Sequence, residues 1–532
     1  MRLSIKNILG ASIAYILFSC TDNYADFNTD PTQPTEDMLQ RDYYQLGAFF
    51  IQMQKNVIPA GSNTTVEVNQ YQLTDNLQGD IYSGYMGVTN TWNGGQNNST
   101  YALMPGWYGE MFSRAYLGVL AGWSQIQDRS TTPETTALAD IVKVAGMHRA
   151  TDTYGPLPYL NLKSGVINTK YDSQQTIYDS FFKELDNAIN ILTVFSQNFP
   201  NSKILANYDL IYQGDVKKWI QFANSLKLRL ALRIVYADPA KAKQYAESAI
   251  NHPIGVIKAN DSNAALKSSS TTPIKNPIAY ICFQYDDIRM GATMESFLKG
   301  YKDPRIAAYF NQSTINGTTD YFGIRNGIRI TNKSLYTPFS TIKMDDNTSL
   351  NWLSAAETYF ARAEGALRGW NMGGTAKDLY ETGILTSFQQ ASVSNADNYI
   401  NNNTNTAAPY SDPQNSSNNI NKESPFLSTI SIQWNDTDSF EIKLERIMTQ
   451  KWLALFPNGQ EAWSEFRRTG YPKIFPVVIN NSGGAIETSR QIRRMPFPNS
   501  EYRDNPQGIS SGITALGGPD NGGTRLWWDK KN

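Results

Sequence analysis

Residues 444–456 read Leu-Glu-Arg-Ile-Met-Thr-Gln-Lys-Trp-Leu-Ala-Leu-Phe, residues 457–459 read Pro-Asn-Gly, and residues 460–470 read Gln-Glu-Ala-Trp-Ser-Glu-Phe-Arg-Arg-Thr-Gly. Leu444, Ile447, Met448, Trp452, Leu455 and Phe456 recur at helical spacing, which gives the first helix one apolar face. Pro457-Asn458-Gly459 stops it, because proline lacks an amide donor and asparagine and glycine accept left-handed backbone angles. A shorter helix follows with Ala462, Trp463 and Phe466 on one side, ended by Gly470 and Pro472. Two amphipathic helices joined by so short a turn lie back to back and bury their apolar faces against further helices.

The same pattern recurs along the chain. Helices are predicted over Tyr43–Lys55, Met111–Gln127 and Ala137–His148, and over Ile177–Leu192, where Ile177, Phe181, Leu185 and Leu192 line up. Asp215 caps a helix that carries Trp219, Phe222, Leu226 and Leu230, and Asp238-Pro239 opens the next, Ala240–Ile250. Asn351–Arg368 and Ala376–Phe388 form another pair. Pairs therefore begin near Ala137, Asp215, Trp352 and Glu441, at irregular spacing. Repeated helical pairs with small alanines beside large aromatics predict a mainly α fold of tetratricopeptide-like repeats. Long insertions must interrupt it, the main one a loop-rich subdomain over about 260–349.

The composition narrows the function. Charged residues are 18% of the 532, below the roughly 25% common in globular proteins. Asn, Gln, Ser, Thr and Tyr take their place. A formal net charge of −1 offers no cationic field, so no nucleic-acid partner is expected. His148 and His252 are too few and too isolated for a His-rich zinc site, and neither sits in a nucleophile motif. No cofactor and no metal are expected.

The N-terminus has its own logic. Arg2 and Lys6 precede an apolar run from Ile8 to Phe18, too short to span a bilayer as a helix and fitting a secretory signal. The run stops at Leu17-Phe18-Ser19-Cys20, where Cys20 is positioned to become an acylated first residue. The expected divisions are a lipoprotein signal over 1–19, a lipidated polar tether over 20–37 and a binding domain over 38–532, with helical pairs near 137–250 and 351–470. Such a protein is anchored to a membrane without spanning it, and Cys282 is left without a disulfide partner.

From Tyr71 to Tyr108 the chain reads as loop-rich and aromatic. Asp80, Tyr82, Tyr85, Trp92, Trp107 and Tyr108 stand there among Gly, Asn and Gln, a mixture suited to a site where apolar faces stack and amides hydrogen-bond. Each aromatic could equally pin a long loop onto the helices. Tyr285, Arg289 and Arg325 in the insertion are further candidates for ligand contact, in Gly-bounded loops beside Tyr and Asn. Thr151-Asp152-Thr153-Tyr154-Gly155-Pro156 reads as a rigid turn, with Asp152 a cap or turn residue. Asp303-Pro304-Arg305 reads as a structural ion pair, and 397–422 as a long exposed or mobile loop.

Several of these blocks carry a resemblance. The 450–470 stretch, Trp219–Arg233, Asp152–Tyr159, Asp303-Pro304-Arg305, Phe27-Asn28-Thr29-Asp30-Pro31 and Arg494–Pro506 resemble segments of SusD/RagB-family outer-membrane lipoproteins of Bacteroidetes, closest to the SusD-like branch. The blocks lie at both ends and in the middle of the mature chain. The resemblance implies a cell-surface, lipid-anchored, non-enzymatic protein that captures oligomeric nutrients. It would act as a hinged lid over a SusC-like TonB-dependent transporter. The aromatic, amide-rich stretch and the sparse charge favour oligosaccharide over oligopeptide as ligand. A surface glycosidase, which needs two carboxylates across a cleft, is the alternative from a different class, and a helical scaffold that only binds partners is a third.

Overall fold

The computed structural model describes residues 43–160, 162 and 169–531. The segments expected to be signal and tether, with Cys20, lie outside the described residues. Helix α1 (Tyr44–Val57) and the short α2 (Thr65–Tyr71) come first, followed by α3 (Ala121–Arg129), α4 (Pro133–Tyr154), α5 (Gln174–Asn198), α6 (Val216–Arg233) and α7 (Pro239–Asn251). The insertion contributes α8 (Pro277–Phe283) and α9 (Ala292–Gly300). The second half of the stack is α10 (Ala355–Leu367), α11 (Ala376–Gln390), α12 (Phe440–Leu455) and α13 (Gly459–Thr469). The helices start where capping chemistry dictates. Asp215, Asp238, Ser354, Thr375, Ser439 and Asn458 each accept a hydrogen bond from a backbone amide in the first turn that follows.

Neighbours in the stack form an unbroken series. Helix α1 packs on α3 and α4, α4 on α5, α5 on α6, α6 on α7 and α10, α10 on α11 and α12, and α12 on α13. Trp219, Phe222, Trp352, Trp452 and Trp463 are buried along this series. The fold is mainly α with helical pairs, as the periodicity predicts. Strands are short and come in antiparallel twos: β1 (Met86–Val88) pairs with β3 (Ile288–Met290), β2 (Ala264–Leu266) with β6 (Leu350–Leu353), and β4 (Ser313–Ile315) with β5 (Thr318–Asp320). The β1–β3 ladder stitches the aromatic stretch to the insertion.

Helix α13 departs from the expectation of a one-sided amphipathic helix. Gln460, Glu461, Ser464, Glu465, Arg467, Arg468 and Thr469 are buried along with Ala462, Trp463 and Phe466. A polar helix tolerates burial on all sides only if its charges find partners. Arg468 reaches Glu364 on α10 and Glu465 on its own helix, each at 2.6 Å. Lys451 on α12 meets Glu465 at 3.0 Å. Glu461 pairs with Arg233 and lies 3.7 Å from Arg229, both on α6, and Arg229 also pairs with Glu357 at 2.6 Å. Four helices thus converge on one charged cluster. Opposite it, Gly79 and Gly459 allow close backbone approach: a Cβ on Gly79 would fall 2.5 Å from the Gln460 nitrogen, and one on Gly459 would fall 2.3 Å from Asp80 Oδ1.

Other local expectations shift for identifiable reasons. Residues expected to open a helix at Asn351 are strand β6, because Ser354 caps the helix and Leu350, Asn351 and Leu353 before it pair with β2. The Thr151–Tyr154 segment continues α4, which ends at Gly155 with φ of 87°. Gln72–Asp80, expected as loop, is a wide helical segment of π type. The Met111–Gln127 helix is interrupted by another such segment, Arg114–Leu120. The Asn-rich 397–422 stretch is exposed at many positions but anchored at others: Tyr399, Tyr410 and Ile420 are buried, and Tyr410 and Ile420 exchange two backbone hydrogen bonds of 3.0 Å. Its amides supply what aliphatic burial does not, as where Asn418 donates to Asp412 at 2.6 Å. Arg305 does pair with Asp303, at 2.6 Å and fully buried.

Replacing Arg468 by leucine strands Glu364 and Glu465 without their shared partner and should lower stability by about 3–5 kcal/mol in denaturant unfolding. A pH series checks the same cluster. Burial alone would raise the Glu364 carboxyl, but Arg468 and Arg368 outweigh it and bring it down to about 2. A folded value below the unfolded one means stability held above about pH 4.5 and lost as pH falls toward 2. Arg468→Leu should flatten that acid limb.

Candidate functional site

The 91–108 stretch turns outward because its backbone is held in left-handed angles. Asn93, Gly94 and Gly95 have φ of 53°, 63° and 84° in succession. Asparagine and glycine take such angles at little cost. The turn leaves Asn93, Gly94 and Gln96 exposed. Buried amides hold it from behind. Asn97 accepts from the Ser99 amide at 2.9 Å and donates to the Trp92 carbonyl at 3.0 Å. Asn98 donates to the Leu77 carbonyl and accepts from the Met104 amide, both at 3.0 Å. The Thr100 hydroxyl donates to the Gly95 carbonyl at 2.6 Å. Trp92 and Trp107, both half-buried, meet edge to face with ring centres 5.5 Å apart and planes at 90°.

Two clefts open beside this pair. One, of about 490 Å³, lies between the 90–100 loop and residues 328–331 with Ile479 and Asn481. The other, of about 470 Å³, lies between Asn93, Gln96 and residues 101–106 on one side and Asn481, Ala485, Ile486, Asp520 and Asn521 on the other. Gln96 and Asn481 line both. The Asn481 amide donates to the Thr100 carbonyl at 2.7 Å, which ties the two walls together. Charge is sparse. Among the described lining residues, Arg329 and Asp520 alone carry it. Asp520 is already committed to Arg494, to the Phe497 amide and to the Tyr502 hydroxyl at 2.6 Å. Walls of amide, hydroxyl and backbone groups suit a neutral, hydroxyl-rich ligand.

The candidates from sequence divide sharply. Trp92 and Trp107 are brought together and follow the lining residues Thr91 and Gly106 in the chain, but neither ring lines a cleft. Asp80, Tyr82, Tyr85, Tyr108 and Arg289 are instead buried in the framework, which closes them to a ligand. Asp80 accepts from the Tyr71 hydroxyl at 3.3 Å and Asn76 at 3.2 Å, and burial, then the charge of Asp75, pushes its carboxyl well up. Tyr82 donates to the Asn98 carbonyl at 3.1 Å and so braces the outer loop. Tyr85 donates to the Trp452 carbonyl and packs against the Trp452 and Phe456 rings. Tyr108 reaches Asn499 at 3.3 Å. Arg289 spends its guanidinium on the Thr337, Cys282 and Ile288 carbonyls and on Asp286. Arg325, half-buried, donates to the Pro476 and Asn418 carbonyls at 3.0 Å. Tyr285 is half-exposed, bonds Asn69 at 3.2 Å and lines neither cleft.

Gln96, Arg329, Asn481 and Asp520 were not legible as site residues. The one available signal was Asn480-Asn481-Ser482-Gly483-Gly484, which repeats the Asn and Gly character of Asn93-Gly94-Gly95. Asp152, expected as a cap or turn residue, accepts from the Tyr178 hydroxyl at 2.6 Å and the Trp528 indole at 2.8 Å inside the core. Among the described residues no group of three or more His, Cys, Asp or Glu is placed to hold a metal, and no helix is long and apolar enough to cross a membrane.

A stack of helical pairs carrying clefts on inserted loops defines a helical-repeat binding protein. The chain belongs to the SusD-like family, described as Susd and RagB outer membrane lipoprotein, whose model matches residues 26–529. Solved structures agree. A chitin-binding SusD homolog from Flavobacterium johnsoniae is 44% identical, with a TM-score of 0.86 over 91% of this chain and 98% of its own. SusD homologs from Bacteroides uniformis and Bacteroides thetaiotaomicron are 38% and 37% identical, with TM-scores of 0.84 and 0.83, each over 92% of this chain and 100% of its own. No curated protein compared with the chain matches it significantly.

If Asn97 is the brace of the outer loop, Asn97→Ala should cost about 1–2 kcal/mol of stability. Hydrogen exchange at the Ser99 amide should quicken by more than the global loss explains; exchange unchanged at Ser99 would contradict the assignment.

Proposed function

We propose that this protein binds neutral oligosaccharides in the two clefts beside Trp92 and Trp107. The observation that carries the reading is the pair of nearly uncharged, amide-lined clefts that share Gln96 and Asn481, with lining residues Thr91 and Gly106 next in the chain to the perpendicular Trp92–Trp107 pair. Sugar hydroxyls suit such amides, and the apolar CH faces of a longer chain suit the neighbouring indoles. A relative at 44% identity is named as chitin-binding, which supports a glycan and makes N-acetylglucosamine oligomers the first probe. An oligopeptide brings charged termini and side chains, and the clefts answer them with little beyond Arg329 and an already saturated Asp520. A glycosidase needs a free carboxylate pair facing the scissile bond, and the one lining carboxylate among the described residues is occupied.

The role follows from where the family resides. Acylated at Cys20, the protein would sit at the outer-membrane surface, and the 20–37 tether would let it swing. Its partner would be a SusC-like TonB-dependent transporter, over which it closes as a lid once cargo is held. Closure on cargo requires that the ligand prefer the closed state, since equal affinity moves no population.

Calorimetry with N-acetylglucosamine oligomers, malto-oligosaccharides and mixed peptides tests the ligand class. At least one glycan series should bind, and Trp107→Ala or Gln96→Ala should weaken it by about tenfold, or ~1.4 kcal/mol. Tyr285→Ala should leave it unchanged. Peptide binding with silence on every glycan would overturn the reading. For the anchor, Cys20→Ala should move the protein out of the outer-membrane fraction; retention there would contradict lipidation.

A further inference from the structure

Away from the clefts, a pocket of about 290 Å³ lies where the end of α13 meets the C-terminal segment. Its walls are Arg467, Arg490, Arg493, Arg525 and Lys531, with Thr469 and Gly470. Among the described residues no acidic side chain lines it. Partners outside the walls neutralise only part of this charge. Asp529, fully buried, is shared by Arg493 at 2.7 Å and Arg525 at 3.2 Å. Glu441 holds Lys531 at 2.7 Å, and Glu487 holds Arg490 at 3.2 Å. Among the described residues, five cations thus face three carboxylates.

Arg467 is the residue left over. It is 1% exposed, and no carboxylate of the described residues lies within 4.0 Å of its guanidinium. Its donors go to neutral acceptors: the Asp152 carbonyl at 2.6 Å, the Arg493 carbonyl at 2.9 Å and the Ser464 hydroxyl at 2.8 Å. A buried charge without a counter-charge is costly, so such a site gains when an anion enters. Burial accordingly pulls Arg467 down to about 9, only partly opposed by the charge of Asp152, and it lowers Arg493 and Lys531 against Asp529 and Glu441. Elsewhere in the core the charge is answered by carboxylates: Arg468 meets Glu364 and Glu465, and Arg305 meets Asp303.

We infer that this pocket is a second binding site, separate from the saccharide clefts, that takes a small oxyanion, either a phosphate or a carboxylate group. Guanidinium forks match the paired oxygens of both groups, and the volume admits one such group with its immediate substituent. The two sources differ in what they would mean: free phosphate would be a structural or sensed ion, whereas a uronic-acid carboxylate would be part of a saccharide.

The test uses the full mature chain with inorganic phosphate and glucuronate in separate arms, against chloride at matched ionic strength. Calorimetry and thermal unfolding are read together. One arm should bind at millimolar concentration or below and raise the unfolding temperature. Arg525→Gln and Arg490→Gln, both toward the solvent side of the pocket, should each weaken binding by about fivefold, or ~1 kcal/mol, while remaining folded. Trp107→Ala should leave anion binding intact, which separates failure here from failure of the saccharide reading. Absence of binding in both arms, or binding insensitive to both substitutions, would overturn the proposal.

Discussion

The Arg468 guanidinium, fully buried between Glu364 and Glu465, is the contact on which the helical stack depends. Taking a helix as polar as α13 into the interior is unfavourable unless each charge arrives opposite its partner. The partners sit on different helices: Glu364 on α10, Lys451 on α12, Arg229 and Arg233 on α6. A slide of one helix along another would unpair several of them together. Hydrophobic burial supplies most of the driving force for collapse, and it tolerates small slips. The ion cluster does not, so its contribution is to register more than to net stability.

That registration reaches the outer loops. Gly79 and Gly459 bring the wide Gln72–Asp80 segment against the start of α13. From there Leu77 offers its carbonyl to Asn98, and Tyr82 braces the same residue. The Trp92–Trp107 pair is therefore set by contacts that lead back to the charged hairpin. Rigid placement matters because stacking surfaces that must first be ordered on binding lose affinity to that ordering.

How much of this could be read from sequence depends on the kind of signal. Helical pairs announce themselves through periodic apolar residues and through caps such as Asp215 and Asp238, and both caps are present in the structure. Helix α13 was half legible: Trp463 and Phe466 mark one buried face, but nothing local says that Arg467 and Arg468 are buried as well, since the Asp152 carbonyl that meets Arg467 and the Glu364 carboxylate that meets Arg468 are distant in sequence. The aromatic stretch was legible as a place and not as a list. Asp80, Tyr85 and Trp107 look alike in composition, and only tertiary packing sorts the first two inward. Gln96 and Asn481 meet across 385 residues, a juxtaposition that no local pattern encodes. The Asn-rich 397–422 segment misleads for the converse reason, because side-chain amides can satisfy a packed loop as well as a solvated one.

A framework locked by buried ion pairs, carrying clefts that take up cargo without rearranging the core, is the physical proposition here. Hydrogen exchange of the mature protein with and without a saturating N-acetylglucosamine oligomer examines it directly. Added protection confined to the 91–108 and 479–486 segments, with α12 and α13 unchanged, is the result this account requires. Protection spread through α12 and α13, or none at the Trp92–Trp107 loop under saturation, would contradict it.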